Sequence, residues 1–417
     1  MAIFTGKYPK FLLTLPIIYA IHTDMNQNQF YHLFENSDDV DDFWTLADQR
    51  DIQPKKQIAF LISDQHLIKH GGIGQFAKAF VEMCLELQCR VDIILDKKPT
   101  NELANSFNKY GVNFYYNDQP YNYSDHQNTF KNSDSINIEK MANFNIAIQK
   151  ATKDNKYDLF VCNTVESIMP AYLLNCRPLV IYTHLYRQIY RDSDVGKFLE
   201  TFHNFTDMVQ GLDGIILATQ SIHNKNELSK YYNNIEVLPM PMPDRKFLHH
   251  NNSNKEGVLF VGRHESGKRP DKFLEICKQA NLPVKILTSK RSAIKFRDKC
   301  QQLGLKYDIR SEIIGQEKVD FMLTSKVHLN VSKNECYSFS TYECLGHMPV
   351  ITLDDQVWTD NFTPYIIKAN KSNIVDTLVN HYNNDISSFW HTVPRLQYIN
   401  QLHFDAIQSW KQFLDIN

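Results

Sequence analysis

From Gln57 onward the chain alternates short apolar runs with longer amphipathic stretches, and this alternation limits the fold more than any other feature. Ile58-Ala59-Phe60-Leu61-Ile62 is apolar throughout, as a strand covered on both faces must be. Phe76–Gln88 carries its apolar residues at helical spacing. Further strands are expected over Val91–Leu95, Val112–Tyr115, Leu159–Cys162, Leu179–Tyr182, Gly214–Thr219 and Ile235–Leu238. Helices are expected over Thr100–Tyr110, Ile136–Lys153, Glu200–Gly211 and Ser221–Tyr232. Strands alternating with helices predict a parallel sheet of βαβ units.

Pro239-Met240-Pro241-Met242-Pro243 interrupts the pattern. Prolines at every second position hold a chain extended and cannot continue a helix. The alternation then restarts, with strands expected over Gly257–Gly262, Val284–Thr288, Val327–Val331 and Pro349–Leu353. Helices are expected over Asp271–Ala280, Ala293–Leu303 and Ser338–Leu345. The reading is an α/β chain with two doubly wound, Rossmann-like domains facing across a cleft, residues 56–245 and 246–390. Residues 1–55 are an N-terminal extension without an assigned role, and 391–417 a C-terminal helix packing back on the first domain.

Charge and composition exclude several classes. Lys and Arg number 45 against 47 Asp and Glu, so the net charge of −2 gives no global pull toward nucleic acid or anionic lipid. Such a partner has to be held by a local patch. The eight cysteines form no CxxC pair and read as reduced, mostly buried thiols of a cytosolic protein. Phe11–Ile21 is the one membrane-like stretch, but it is short and broken by Pro16, and no small-x-small cleavage site follows it. A buried strand or hairpin is expected there, with no stable membrane insertion.

Three segments carry chemistry. Gly71-Gly72-Ile73-Gly74 follows the first strand, at the strand end where open α/β sheets bind ligands. Glycine lets a ligand approach the backbone, and the next helix offers free N–H groups, although a tight turn uses glycine equally well. Asp96 is followed by Lys97-Lys98 and does not complete a dinucleotide fingerprint. In the second segment, Arg263 and Lys268 stand five apart in a loop after a strand, so a planar fork and a point charge reach one diphosphate. A solvated basic loop is the alternative, since residues 255–299 hold 12 Lys and Arg against 5 Asp and Glu. The third segment runs Glu335-Cys336-Tyr337-Ser338-Phe339-Ser340-Thr341-Tyr342-Glu343. Ser338 or Ser340 is a candidate cap that leaves backbone N–H groups for a phosphate. Glu343 suits a ribose diol and Glu335 the hydroxyls of a sugar; two surface carboxylates would show the same spacing.

In this order the segments resemble the retaining, nucleotide-sugar-dependent glycosyltransferases of the GT-B fold, which share a Glu-x7-Glu motif. Glu335 and Glu343 have that spacing, Arg263 and Lys268 match the family's diphosphate pair, and Gly71-Gly72 matches its first-domain loop. The likeness covers roughly residues 57–355. It implies a UDP-sugar donor held by Gly71, Gly72, Gly74, Arg263, Lys268, Ser338, Phe339, Ser340 and Glu343. It implies catalysis by Arg263, Lys268, Glu335 and His184, with His184 and Arg187 on the acceptor side. Tyr337-Ser338-Phe339 departs from the small residues and glycine usual there, and the segment from Glu343 to Pro349 is one residue short. Asp39-Val40-Asp41 resembles the metal-binding Asp-x-Asp of some sugar transferases, but it lies in a solvated acidic run. The nucleotide sugar is a co-substrate, and no cofactor or metal is expected; Arg263, Lys268 and a helix dipole take the metal's place.

A weaker resemblance, over roughly residues 180–355, is to the T-even phage DNA α-glucosyltransferases. It rests on the order His184, Arg187, helix, then Leu217–Ser221. It implies hydroxymethylated pyrimidine in double-stranded DNA as acceptor and a host-cytoplasmic location. The basic surplus of residues 255–299, with Lys225, Lys230, Arg187 and Arg191, supports this; the net charge and the acidic run at 38–42 oppose it. The alternatives are a cell-surface glycan or glycolipid acceptor, or a GT-B nucleotide-sugar epimerase or hydrolase.

Overall fold

A computed structural model describes residues 53–64, 72–119, 138–184, 209, 211–242, 255–313, 315–333, 338–353, 365–384 and 389–416. Seven strands build the first sheet: β1 (Gln57–Ile62), β2 (Arg90–Leu95), β3 (Asn113–Tyr115), β4 (Leu159–Cys162), β5 (Leu179–Thr183), β6 (Ile215–Thr219) and β7 (Ile235–Val237). Six build the second: β8 (Val258–Val261), β9 (Val284–Thr288), β10 (Tyr307–Ser311), β11 (Val327–Asn330), β12 (Val350–Leu353) and β13 (Ile367–Ala369). The first sheet runs β3-β2-β1-β4-β5-β6-β7 and the second β10-β9-β8-β11-β12-β13. Every pairing is parallel. The two orders are the same doubly wound order, as the alternating sequence pattern implied. In each sheet the winding reverses once, between β1 and β4 and between β8 and β11. In sheets of this kind the ligand crevice lies at the carboxyl ends of those strands.

The helices are α1 (Gly72–Glu86), α2 (Asn101–Asn108), α3 (Ile138–Asp154), α4 (Val165–Leu173), α5 (Ile222–Leu228) and α6 (Pro270–Gln279). They continue with α7 (Lys290–Leu303), α8 (Gly315–Leu323), α9 (Phe339–Leu345), α10 (Ile374–Asn383) and α11 (Phe389–Phe413). They cover the sheets on both faces, which explains the unbroken apolar run of β1. Ile58, Phe60 and Ile62 pack with Phe76 and Phe80 of α1, whereas Ala59 and Leu61 pack with Phe144 and Ile148 of α3. In β8 the same alternation sends Val258 and Phe260 to Phe273 and Phe296, and Leu259 to the opposite face.

The last helix returns to the first sheet. Trp410 is fully buried, its ring edge meets Phe80 at 5.0 Å, and its Nε1–H donates to Pro239 O at 3.0 Å. Met242 N–H donates to His403 Nδ1 at 3.0 Å. Along the same helix Tyr398 stacks near Tyr365, with ring centroids 4.7 Å apart.

The seven described cysteines are free and buried, and burial pushes the Cys162 thiol up to about 12. No described helix is long and apolar enough to cross a membrane. Phe11–Ile21, the acidic run at 38–42 and most of the helix expected over Glu200–Gly211 lie outside the described residues.

Candidate functional site

In the second sheet the site is built around the end of β8. Gly262 extends the ladder by donating its N–H to Leu287 O at 3.0 Å, and its φ of +156° suits glycine. A Cβ at this position would sit 3.4 Å from the Phe260 ring and 3.6 Å from the Lys268 stem. The lysine stem therefore lies along bare backbone. Ser266–Lys268 forms one tight 3₁₀ turn, closed by Lys268 N–H on Glu265 O at 3.0 Å. Arg269 then takes a left-handed conformation, φ +48°, and Pro270 opens α6, where a missing N–H costs nothing. Lys333 N–H donates to Gly267 O at 2.8 Å. That bond joins the loops after β8 and β11, the pair of strands that flank the crevice.

Arg263 behaves differently from Lys268. It is two-thirds exposed, and its guanidinium lies 3.0 Å from Glu265 Oε1. An exposed pair of this kind is worth under about 1 kcal/mol, so it holds Arg263 only weakly.

Below the crevice lies a residue that the sequence reading did not single out. His328, in the middle of β11, is 1% exposed and donates Nδ1–H to Leu259 O at 3.0 Å. Burial first, and then the nearby Lys268 charge, hold its pKa down to about 4. The ring is neutral, so His328 itself places no cation beside Lys268. The unfolded imidazole takes a proton near 6.5. Stability from neutral His328 should thus be full above about 6.5 and decline as pH falls toward 4. Urea unfolding at neutral and mildly acid pH should register that loss, and His328→Gln should flatten it. Its signal in the sequence was a period-two placement of polar residues, His328 and Asn330, inside the apolar run Val327–Val331.

Asn330 donates to Thr341 Oγ1 at 3.0 Å and to Ser338 Oγ at 3.3 Å. Ser338 holds the N-cap position of α9, but its hydroxyl makes no capping bond. Asn330, Ser340 and Thr341 engage that hydroxyl instead, so the capping expected of Ser338 or Ser340 is replaced by a side-chain network. Phe339 is buried. Glu343 accepts from Lys318 Nζ of α8 at 2.5 Å, both side chains being about one-fifth exposed. Lys318 is a further residue that the sequence reading passed over. Glu335 lies outside the described residues.

In the first sheet, Gly72 and Gly74 stand in the first turn of α1 rather than in an open loop, because the helix begins four residues before Phe76. Gly71 and Arg187 lie outside the described residues. His184 follows β5, where its Nε2 is hydrogen-bonded to Asn163 Oδ1 at the end of β4. Its ring meets Phe76 at 5.2 Å and Tyr182 at 5.1 Å edge-on, and its carbonyl accepts from Gln220 at 2.9 Å. The floor beside it is ionic. Lys140 donates to Ser63 Oγ at 3.0 Å and lies 3.7 Å from both Asp96 and Glu166, all of them buried. Asp96 is thus part of a fixed polar floor. Among the described residues no three His, Cys, Asp or Glu side chains gather as metal ligands.

No family model matches this sequence, and no curated protein matches it. Solved structures are similar. Sucrose-phosphate synthase from Thermosynechococcus elongatus superposes with a TM-score of 0.65 at 13% identity, over 87% of this chain and 100% of that one. A TarM variant from S. aureus, in complex with fondaparinux, α-GlcNAc-glycerol and UDP, gives 0.66 at 11% identity, over 86% and 100%. Anabaena HepE in complex with UDP-glucose gives 0.61 at 12% identity, over 86% and 100%. Two parallel doubly wound sheets in the order found here, matched along nearly the whole of these structures, mean that the chain has the GT-B fold of glycosyltransferases.

Proposed function

We propose that this protein is a retaining glycosyltransferase that moves a sugar from a UDP-sugar to an acceptor hydroxyl. The observation that carries the reading is Lys268, held in a tight turn at the β8–β11 crevice with Arg263 in the same loop. Departure of the sugar builds negative charge on the diphosphate, and fixed cations stabilise that charge as it grows. UDP and UDP-glucose in the similar TarM and HepE structures support the donor class. Glu343 takes the ribose and Glu335 the sugar hydroxyls. Closure would bring Gly71, Gly72 and Gly74 against the diphosphate and exclude water, which otherwise hydrolyses the donor. His184 and Arg187 face the acceptor.

Release of UDP should require an acceptor, which a coupled UDP assay with and without acceptor measures; release without one would favour an epimerase or hydrolase. Proton NMR of the product should give the anomeric configuration of the donor. No metal or cofactor is part of this reading, so activity should survive a chelator. Loss with chelator and rescue by Mg²⁺ would overturn that part.

For the acceptor, the order His184, Arg187, helix and Leu217–Ser221 favours hydroxymethylated pyrimidine in double-stranded DNA. The α-GlcNAc-glycerol bound to TarM, and the involvement of the similar WaaG in lipopolysaccharide biosynthesis, favour a glycan or glycolipid instead. Part of the basic surplus behind the DNA reading is spent on neighbours: Lys290 pairs with Glu312, Lys299 with Asp271 and Lys230 with Glu227. Binding to DNA should weaken by about 0.9 log units per phosphate neutralised for each log unit of salt. Titrating hydroxymethylcytosine duplex at two salt concentrations, with sugar incorporation as readout, separates the acceptors.

A further inference from the structure

We infer that Lys318 is a positioning residue for recognition of the ribose diol: it holds one oxygen of Glu343 so that the carboxylate meets vicinal hydroxyls in a fixed orientation. The inference rests on the donor reading above. Lys318 and Glu343 come from different helices, α8 and α9, and meet at 2.5 Å with about one-fifth of each side chain exposed. A glutamate side chain free to rotate loses that freedom on binding, whereas one already held by an ammonium does not. The ammonium also takes only part of the carboxylate's capacity. Two oxygens offer about four lone-pair sites, so among the described residues Oε2 is left whole and Oε1 keeps a site for a second hydroxyl.

Charge points the same way. An isolated carboxylate beside a bound diphosphate would repel it, and Lys318 offsets that charge where it stands. The two charges act in opposite directions on Cys344, the next residue along: burial raises its thiol pKa most, Glu343 raises it further and Lys318 lowers it. The pair therefore presents hydrogen-bond acceptors with little net charge, which suits the neutral sugar of an anionic nucleotide.

The test is calorimetric titration of the full chain with UDP and with 2′-deoxy-UDP. Lys318→Met should weaken UDP about tenfold, within the range found for contacting pairs, and weaken 2′-deoxy-UDP, which keeps one of the two hydroxyls, by only about threefold. Lys318→Arg should restore most of the UDP affinity, because a guanidinium also holds a carboxylate. In a Glu343→Gln background, Lys318→Met should have no further effect. Unchanged UDP affinity in Lys318→Met would overturn the inference. So would equal weakening of both nucleotides, the signature of a mere tie between helices. Wild-type protein that binds neither nucleotide is a different result, which overturns the donor reading and this inference with it.

Discussion

Lys268→Ala should lower kcat by about 10²-fold or more, with kcat/KM for the donor falling in parallel. The size follows from when the interaction is made. In the proposed transfer, charge on the leaving diphosphate grows as the sugar departs, so the ammonium would do more for the transition state than for the bound donor. Its setting sharpens that difference. The stem lies against Gly262, the turn is closed on Glu265, and the bond from Lys333 to Gly267 keeps the turn at the crevice, so little reorganisation accompanies reaction. Neutral His328 offers no replacement charge. Arg263→Ala should cost less, because that side chain is exposed and already shared with Glu265. Steady-state kinetics with varied donor decides the matter. A Lys268→Ala enzyme with raised KM and intact kcat would mean that the lysine only binds, and the assigned role would fail.

The architecture was legible because most of its strands are buried on both faces. Runs such as Ile58–Ile62 and Leu159–Cys162 have no polar position to hide, and their spacing leaves room for one crossover helix each. The elements missed were those without that signature. β10 (Tyr307–Ser311) contains Asp308, Arg310 and Ser311 and is at most half-buried along its length, as an edge strand is. α4 contains Pro170, which reads as a break, although the helix continues through it. The glycine segment reads as a loop in the sequence, yet α1 starts at Gly72. In the site, single residues at loop positions were visible, but their partners were not. Lys318 reaches Glu343 from another helix, and Asn163 reaches His184 from the neighbouring strand. Lys140 gathers Ser63, Asp96 and Glu166 from separate elements. No local pattern encodes such meetings; the sheet order creates them.

Trp410→Ala should be the most damaging single substitution to stability, at about 3–5 kcal/mol from the lost side chain and the cavity it leaves. Trp410 is 0% exposed and touches three aromatic neighbours, Phe80, Tyr182 and Phe413, with centroids 5.0, 6.2 and 5.9 Å away. It also donates to Pro239 O, which lies in the proline-rich segment that leaves the first sheet. Tyr182 makes the companion bond, its hydroxyl donating to Leu238 O at 2.8 Å. Removing the indole thus leaves a half-buried carbonyl without its donor, a further cost of about 1 kcal/mol. The damage should reach the site, because Tyr182 and Phe76 stack at 4.6 Å and together hold the His184 ring. Trp410→Phe separates the two contributions: it keeps much of the volume but not the hydrogen bond, and should cost about half as much. Urea unfolding followed by circular dichroism reads both variants. If Trp410→Ala cost less than about 1 kcal/mol, the C-terminal helix would be an appendage to the first sheet, and the ring stack from Trp410 through Tyr182 would not support the His184 ring.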